Sequence, residues 1–215
     1  MYIGLMSGTS LDGVDAVLAR LTAKGTSEQL DSFFLPYPDE LKTRLLALHT
    51  PQLDELHLSQ LTANELSRLY AKTVNGLLGK SDTPAKHIRA IGCHGQTIRH
   101  RPETGYSLQI VNGSLLAELT GIACVTDFRN RDIASGGQGA PLVPAFHAAT
   151  LSSHAEHRVI VNIGGIANLT NLPPSGEISG FDCGPGNMLM DAWAGKHLGI
   201  PVDENGAWAA GGQVL

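Results

Sequence analysis

Two apolar runs in this chain each stop at a glycine-containing turn and resume beyond it, and this pattern restricts the fold more than any other feature. The first is Tyr2–Met6, the turn Ser7-Gly8-Thr9-Ser10-Leu11-Asp12-Gly13, and the return Val14–Leu21. The second is Val159–Ile163, the turn at Gly164-Gly165, and the return Ile166–Leu172. Short apolar runs bounded by Gly, Ser and Asp read as strands joined by hairpins. Taken alone, each would be an ordinary hairpin.

The composition of the first turn sets it apart. Ser7, Thr9 and Ser10 offer hydroxyls, while Gly8 and Gly13 let backbone N–H groups approach an anion. Asp12 adds a carboxylate suited to Mg²⁺ through water. No lysine follows, and the turn lies between strands rather than before a helix, so it is not a P-loop. The second turn is weaker evidence by itself. Paired with the first, it fits a two-lobed nucleotide clamp.

The rest of the chain mixes strands and helices, an α/β pattern. Gln29–Leu35 reads as a third strand of an N-terminal meander. Helices are predicted over Asp39–Leu48 and Leu53–Leu78, the latter with Leu58, Leu61, Leu69 and Leu77 as its core stripe. Strands are predicted at Ile88–Cys93, Tyr106–Ile110 and Ile122–Val125. Asn112 caps a helix that buries Leu115, Leu116 and Leu119. Pro141–Leu151 reads as a helix with prolines in its first turn. The break over 151–157 divides an N-terminal lobe, 1–157, from a second lobe, 158–215. That second lobe shows only its first strands, with Val159–Ile163 as a buried one, and a helix over Met188–His197. So little structure cannot cover its own sheet. The sequence is therefore expected to be a fragment lacking a C-terminal half.

Asp182 is the sharpest candidate for chemistry. It ends a short strand and precedes Gly184 and Gly186, which suits a bare carboxylate acting as a general base. A turn or N-cap aspartate is the competing reading. His94-Gly95-Gln96-Thr97 ends another strand with polar side chains suited to sugar hydroxyl or amide groups, although a histidine there is more often structural. Arg129 and Arg131 suit a carboxylate. A surface ion-pair cluster with Asp127 and Asp132 explains them equally well.

Several classes are excluded. The net charge is -5 with no basic stripe, which argues against nucleic acid. Three cysteines at unrelated spacings suit neither a disulfide framework nor a zinc site. Lying in or beside apolar runs, they read as buried free thiols. His154 and His157 lack nearby partners for a metal. The N-terminus lacks the basic flank of a signal peptide, and no apolar run is long enough to span a bilayer. The expectation is a soluble cytoplasmic protein.

With these residues laid out, the sequence closely resembles the anhydro-N-acetylmuramic acid kinase family. The resemblance rests on Gly4–Asp15, His94-Gly95-Gln96-Thr97-Ile98-Arg99-His100, Asp127-Phe128-Arg129 with Arg131-Asp132, and Gly136-Gly137-Gln138-Gly139-Ala140-Pro141-Leu142. It continues through Asn162-Ile163-Gly164-Gly165 and Gly180-Phe181-Asp182-Cys183-Gly184-Pro185-Gly186-Asn187. Each piece is unspecific, but their combination in this order is highly specific.

The resemblance implies an actin/hexokinase/Hsp70-like (ribonuclease H-like) ATPase fold of two lobes around a cleft, here with the second lobe truncated. It implies a bacterial enzyme of cell-wall recycling that uses ATP, Mg²⁺ and water to open and phosphorylate a small anhydro amino sugar. Gly8, Thr9, Ser10, Leu11, Asp12, Gly13, Val14 and Asp15, with Gly164 and Gly165, would bind ATP phosphates. Asp12 would reach Mg²⁺ through water. Asp182 would be the base, and Gln96, Thr97, Arg129 and Arg131 would serve the sugar. The full-length protein is compatible with a homodimer, and the chain as given is expected to be inactive alone. Asn130 and Ser135 depart from the family pattern, where a basic residue and an alanine are more usual, and read as tolerable surface changes. Another sugar or carboxylate kinase of this fold, and a non-enzymatic nucleotide-dependent sugar sensor, are the alternatives.

Overall fold

A computed structural model describes residues 1–8, 10–22 and 27–213. They form two compact units, Met1–Leu142 and Val143–Leu215.

The first unit is built on a mixed sheet. Strands β1 (Tyr2–Met6), β2 (Gly13–Leu21) and β3 (Ser27–Pro36) form an antiparallel meander. On the other side of β1 lie the parallel strands β4 (Ile91–Cys93) and β7 (Cys124–Val125), giving the order β3-β2-β1-β4-β7. Alternation in the sequence sets the faces. Ile3 and Leu5 on β1, and Val14, Ala16 and Leu18 on β2, all point into one core. Helix α1 (Asp39–Ala47) adds Leu41 and Leu45 to that core, with Leu48 beyond its end.

Helix α2 (Glu55–Lys80) supplies the opposing layer, but not through the whole expected stripe. Leu69 and Leu77 are buried, whereas Leu58 is 37% and Leu61 50% exposed. The buried face runs through Thr62, Ala63, Leu66, Ser67, Tyr70 and Val74 instead. Small and hydroxylated residues dominate its first half, and Ser67 and Thr73 satisfy their hydroxyls by donating to the carbonyls of Ala63 and Leu69. A reading weighted toward leucine misses such a face.

A second layer of local structure follows β4. Strand β5 (Gln96–Arg101), which the sequence reading did not separate from the end of β4, pairs antiparallel with β6 (Tyr106–Ile110), the strand expected there. Helix α3 (Gly113–Thr120) is capped as expected, the Asn112 Oδ1 accepting from Leu115 N–H at 2.9 Å. Of its predicted buried residues, Leu116 is fully buried while Leu119 is exposed. A short helix, α4 (Phe128–Ile133), carries the two arginines.

The second unit begins with α5 (Pro144–Leu151), which has proline at its first turn. The expected lobe boundary thus falls after α5, whereas the compact units divide before it. Helix α5 docks on the unit's sheet, where the His147 Nδ1 lies 2.9 Å from the Thr170 hydroxyl. Strands β8 (Arg158–Ile163), β9 (Ile166–Leu172) and β10 (Ser179–Pro185) form an antiparallel meander in the order β10-β9-β8. Helices α6 (Met188–Leu198) and α7 (Ala207–Ala210) follow. Val159–Ile163 was expected to be buried, but Val161 is 56% and Ile163 68% exposed. Their β propensity is satisfied by pairing with β9, and one face of the strand remains open to solvent. No helix among the described residues is long and apolar enough to cross a membrane.

Candidate functional site

The hairpin between β1 and β2 is held from beneath. Ser7 is buried, its hydroxyl 2.9 Å from the Tyr70 hydroxyl and donating to the Gly95 carbonyl at 3.4 Å. Leu11 takes a left-handed backbone (φ 53°) and is buried, which anchors the turn while Ser10 and Asp12 stay exposed. Asp12 Oδ1 accepts from the Ser10 hydroxyl at 2.8 Å and from Gly13 N–H at 3.1 Å. Gly13 is required by close approach, because a Cβ there would strike the Leu35 carbonyl and the Phe34 ring. Val14 is fully buried in the core. Asp15 is exposed at the surface, yet its carboxyl is raised above the usual range by partial desolvation and by the charge of Asp12. Thr9 lies outside the described residues.

Gln96 fastens this hairpin to β5. It is buried, accepts from the Tyr37 hydroxyl at 3.2 Å and donates to the Gly8 carbonyl at 3.3 Å. Both ends of its amide are thus engaged by protein groups. Burial raises the hydroxyl pKa of Tyr37 and of Tyr70, so both stay neutral hydrogen-bonding groups. The sequence reading named neither tyrosine; Tyr37 between two prolines and Tyr70 within a helix carry no local signal of a shared polar duty.

Thr97 is half-buried and receives a hydrogen bond from Gln109 Nε2 at 3.2 Å. The same amide nitrogen donates to Ser107 Oγ at 2.8 Å, and Ser107 N–H donates to Asn130 Oδ1 at 2.7 Å. Asn130, read from sequence as a tolerable surface change, is therefore a tie between α4 and β6. Its Nδ2 also donates to Asp127 Oδ1 at 2.7 Å.

Arg129 sits beside Asn130 and is bound to different partners. Its Nε donates to His94 Nε2 at 2.8 Å, and an Nη donates to the Gly139 carbonyl at 2.6 Å. Burial, and then the Arg129 charge, lower the His94 pKa to about 4, so the ring is neutral near pH 7. Asp132 closes the same loop by accepting from Gly139 N–H at 2.7 Å. Arg131 is exposed, and its guanidinium donates to the Ser135 hydroxyl.

The cysteines differ from the expectation of three buried thiols. Cys93 is buried, Cys124 is half-buried and Cys183 is exposed. Cys183 lies in β10, whose outward positions are open. Among the described residues no group of three or more His, Cys, Asp or Glu side chains could hold a metal ion.

In the second unit Asp182 sits at an irregularity. It pairs with Asn168, but the next pair is Gly184 with Ala167, so Cys183 is the extra residue of a bulge. Bulges bend a strand and re-aim its side chains. Asp182 is exposed, as are Phe181 and Cys183 on either side of it. Immediately beyond, the chain locks onto the Gly164-Gly165 turn: Gly186 N–H donates to the Gly165 carbonyl at 2.9 Å and Asn187 N–H to the Gly164 carbonyl at 2.8 Å. A Cβ on Gly186 would collide with that Gly164 carbonyl. The turn and the start of α6 therefore form one backbone assembly next to Asp182. An apolar cavity of about 610 Å³, with Met190, Trp193, Val202 and Trp208 among its walls, lies along α6 and was not foreseen.

The family model for anhydro-N-acetylmuramic acid kinase matches residues 1–215. The chain belongs to this family. Similar relatives agree with the assignment. The anhydro-N-acetylmuramic acid kinase of Thiobacillus denitrificans is 63% identical over 99% of this chain and 57% of its own length. That of Nitrosospira multiformis is 58% identical over 100% of this chain and 59% of its own. The Chromobacterium violaceum relative is 56% identical over 100% and 58%. The chain thus spans somewhat over half the length of these curated family members. Among solved structures it is similar to a reductive activator for a corrinoid, iron-sulfur protein, with a TM-score of 0.46 and 13% identity, over 86% of this chain and 31% of the other.

Proposed function

We propose that the protein to which this chain belongs is an ATP-dependent kinase that opens 1,6-anhydro-N-acetylmuramic acid with water and phosphorylates O6. The observation that carries this reading is the family match over residues 1–215. Kinases bearing this name at 63% and 58% identity support it. The finer fold is inferred to be the actin/hexokinase/Hsp70-like ATPase type. The antiparallel meander β1–β2–β3 in one unit and its counterpart β8–β9–β10 in the other support that inference.

In this reading Asp182 takes a proton from water, and the water oxygen attacks the anomeric carbon. The bond from that carbon to the bridging oxygen breaks, the freed O6 bonds to the γ-phosphorus of ATP, and ADP leaves. The products are N-acetylmuramic acid 6-phosphate and ADP. The hairpin that spans Gly8 to Asp15, and independently the Gly164-Gly165 turn, are proposed as phosphate-binding turns. Asp12 and Asp15 would hold a divalent cation through water, since partial desolvation and then the charge of Asp12 disfavour ionisation of Asp15 and a cation would offset both. Mg²⁺ bound there would neutralise phosphate charge.

Thr97 and Arg131 are proposed as sugar contacts, the arginine meeting the lactyl carboxylate. Thr97 receives its hydrogen bond from Gln109 and so keeps its own proton to donate. Gln96 and Arg129 serve the sugar by holding the segments that carry these contacts, because their polar atoms are engaged by the protein. A cytoplasmic location belongs to the same reading, since ATP is the phosphoryl donor.

The test is turnover of the anhydro sugar with ATP in ¹⁸O-labelled water by the whole protein to which this chain belongs, with the full-length Thiobacillus denitrificans kinase run in parallel. The label is expected at the anomeric hydroxyl of the phosphorylated product. Asp182→Asn is expected to lower turnover by roughly 10²- to 10⁴-fold. Near-normal turnover would overturn the base assignment, and preference for N-acetylglucosamine would favour another sugar kinase.

A further inference from the structure

His94 stands between two parts of the first unit that the proposed chemistry uses separately. On one side its Nδ1 lies 2.7 Å from the Gly95 carbonyl, which also accepts from the Ser7 hydroxyl at the root of the phosphate hairpin. On the other side its Nε2 faces the Nε–H of Arg129 at 2.8 Å. A carbonyl only accepts and a guanidinium only donates, so the partners fix the tautomer: Nδ1 carries the proton and Nε2 carries the lone pair. The backbone adds a third attachment, His94 N–H donating to the Leu5 carbonyl of β1 at 3.1 Å.

Arg129 extends the chain of bonds by donating to the Gly139 carbonyl at 2.6 Å. The connected path is Ser7, Gly95, His94, Arg129 and Gly139. It joins the root of the β1–β2 hairpin to α4 and the loop after it. Arg131 lies on α4 two residues beyond Arg129. The hydrogen bond from Ser107 to Asn130 holds the same helix against β6. Two ties on adjacent residues fix both the rotation and the height of a helix only six residues long.

We propose that His94 is a positioning residue that couples the phosphate hairpin to α4, so that Arg131 is presented to the sugar carboxylate only while the neutral imidazole bridges Gly95 and Arg129. This rests on the kinase reading given above. His94 touches neither sugar nor phosphate in this role. It acts through Arg129 and Gly95. Burial and the neighbouring guanidinium keep its ring uncharged, which the bridge requires.

The variants separate the two bonds. His94→Asn keeps a donor near the Nδ1 position and loses the acceptor for Arg129. His94→Gln places its amide oxygen near the Nε2 position and keeps that acceptor. His94→Phe loses both at similar shape. The KM for the anhydro sugar is expected to rise roughly 10- to 100-fold in His94→Asn and His94→Phe and to stay within about threefold in His94→Gln, and the KM for ATP is expected to rise as well in His94→Phe, which also loses the bond to Gly95. A merely structural histidine would lower the active fraction and leave both KM values alone, which overturns the proposal.

NMR supplies a readout independent of turnover. The ¹⁵N shifts of His94 are expected to show a protonated Nδ1 and an unprotonated Nε2. His94→Asn is expected to shift the amides of both Gly8 and Arg131. A response confined to one of the two segments overturns the coupling. If the whole protein to which this chain belongs fails to phosphorylate the sugar while these shifts appear, the kinase reading falls and the coupling stands.

Discussion

The Arg129 Nε–H donates to the imidazole Nε2 of His94 at 2.8 Å, a bond that only an uncharged imidazole can accept. Protonating Nε2 would set two donors and two positive charges against each other in a mostly buried place. The effect on stability has a definite sign. In the unfolded chain His94 titrates near its ordinary value of 6.5, and in the folded chain at about 4. Between these values the unfolded state binds more protons, so stability rises with pH through that window. The contribution is fully present above pH 6.5 and is lost as the pH falls to 4, amounting to about 3 kcal/mol. Urea unfolding from pH 4 to 7.5 should show this slope in wild-type protein and a shallower one in His94→Gln.

The face that α2 buries makes a second expectation. Leu77 is fully buried, and Leu77→Ala should cost roughly 2–5 kcal/mol. Leu61 is 50% exposed, and Leu61→Ala should cost about 0.5 kcal/mol. Chemical denaturation of the two variants side by side checks the difference.

Capping of α3 is the third. The Asn112 side chain accepts from Leu115 N–H and donates to Asn64 Oδ1 at 2.7 Å, so it also links α3 to α2. Asn112→Ala should cost about 1–2 kcal/mol. Asn112→Asp keeps the cap and turns the link to Asn64 into an acceptor, so it should recover roughly half of that loss. Thermal unfolding reads both.

The two turns that bracket β8 and β10 give a fourth. A Cβ on Gly164 meets only the Ile166 carbonyl, at an ordinary 3.7 Å, whereas a Cβ on Gly186 strikes the Gly164 carbonyl. Gly164→Ala should therefore be mild and Gly186→Ala should cost about 3 kcal/mol. Loss of amide protection at Gly186 and Asn187 in hydrogen exchange would report the broken turn.

The sequence could be read wherever burial follows a simple period. Ile3 and Leu5, then Val14, Ala16 and Leu18, alternate plainly, and β1–β3 were legible from them. Asn112 announced α3 because a cap is a local event. Strand β6 was legible at Tyr106–Ile110, but its partner β5 was not, since Gln96, Thr97, Arg99 and His100 satisfy polar partners and Ile98 is the one apolar residue of β5. Helix α4 is too short to show a period, and its position depends on His94, Ser107 and Gly139, all distant in sequence. Asn130 looked like a surface residue because nothing local marks a side chain that caps a neighbouring strand's N–H. The candidate residues were found by type, but the protein hydrogen bonds that engage Gln96 and Arg129 appeared only with the fold. Val159, Val161 and Ile163 show the opposite failure, for strong β propensity states that a strand forms and not that it is covered.

Strand β8 has a practical consequence for handling this chain. Among the described residues it is a sheet edge, and its solvent face is a ladder of Val159, Val161 and Ile163 with a single basic residue, Arg158, at its start. Backbone donors and acceptors along that edge are a template for any other extended segment, and the branched side chains make the union dry. In concentrated solution that edge should therefore pair with extended segments of other copies. Turbidity will grow with concentration, and a lysine in place of Val161 will suppress it.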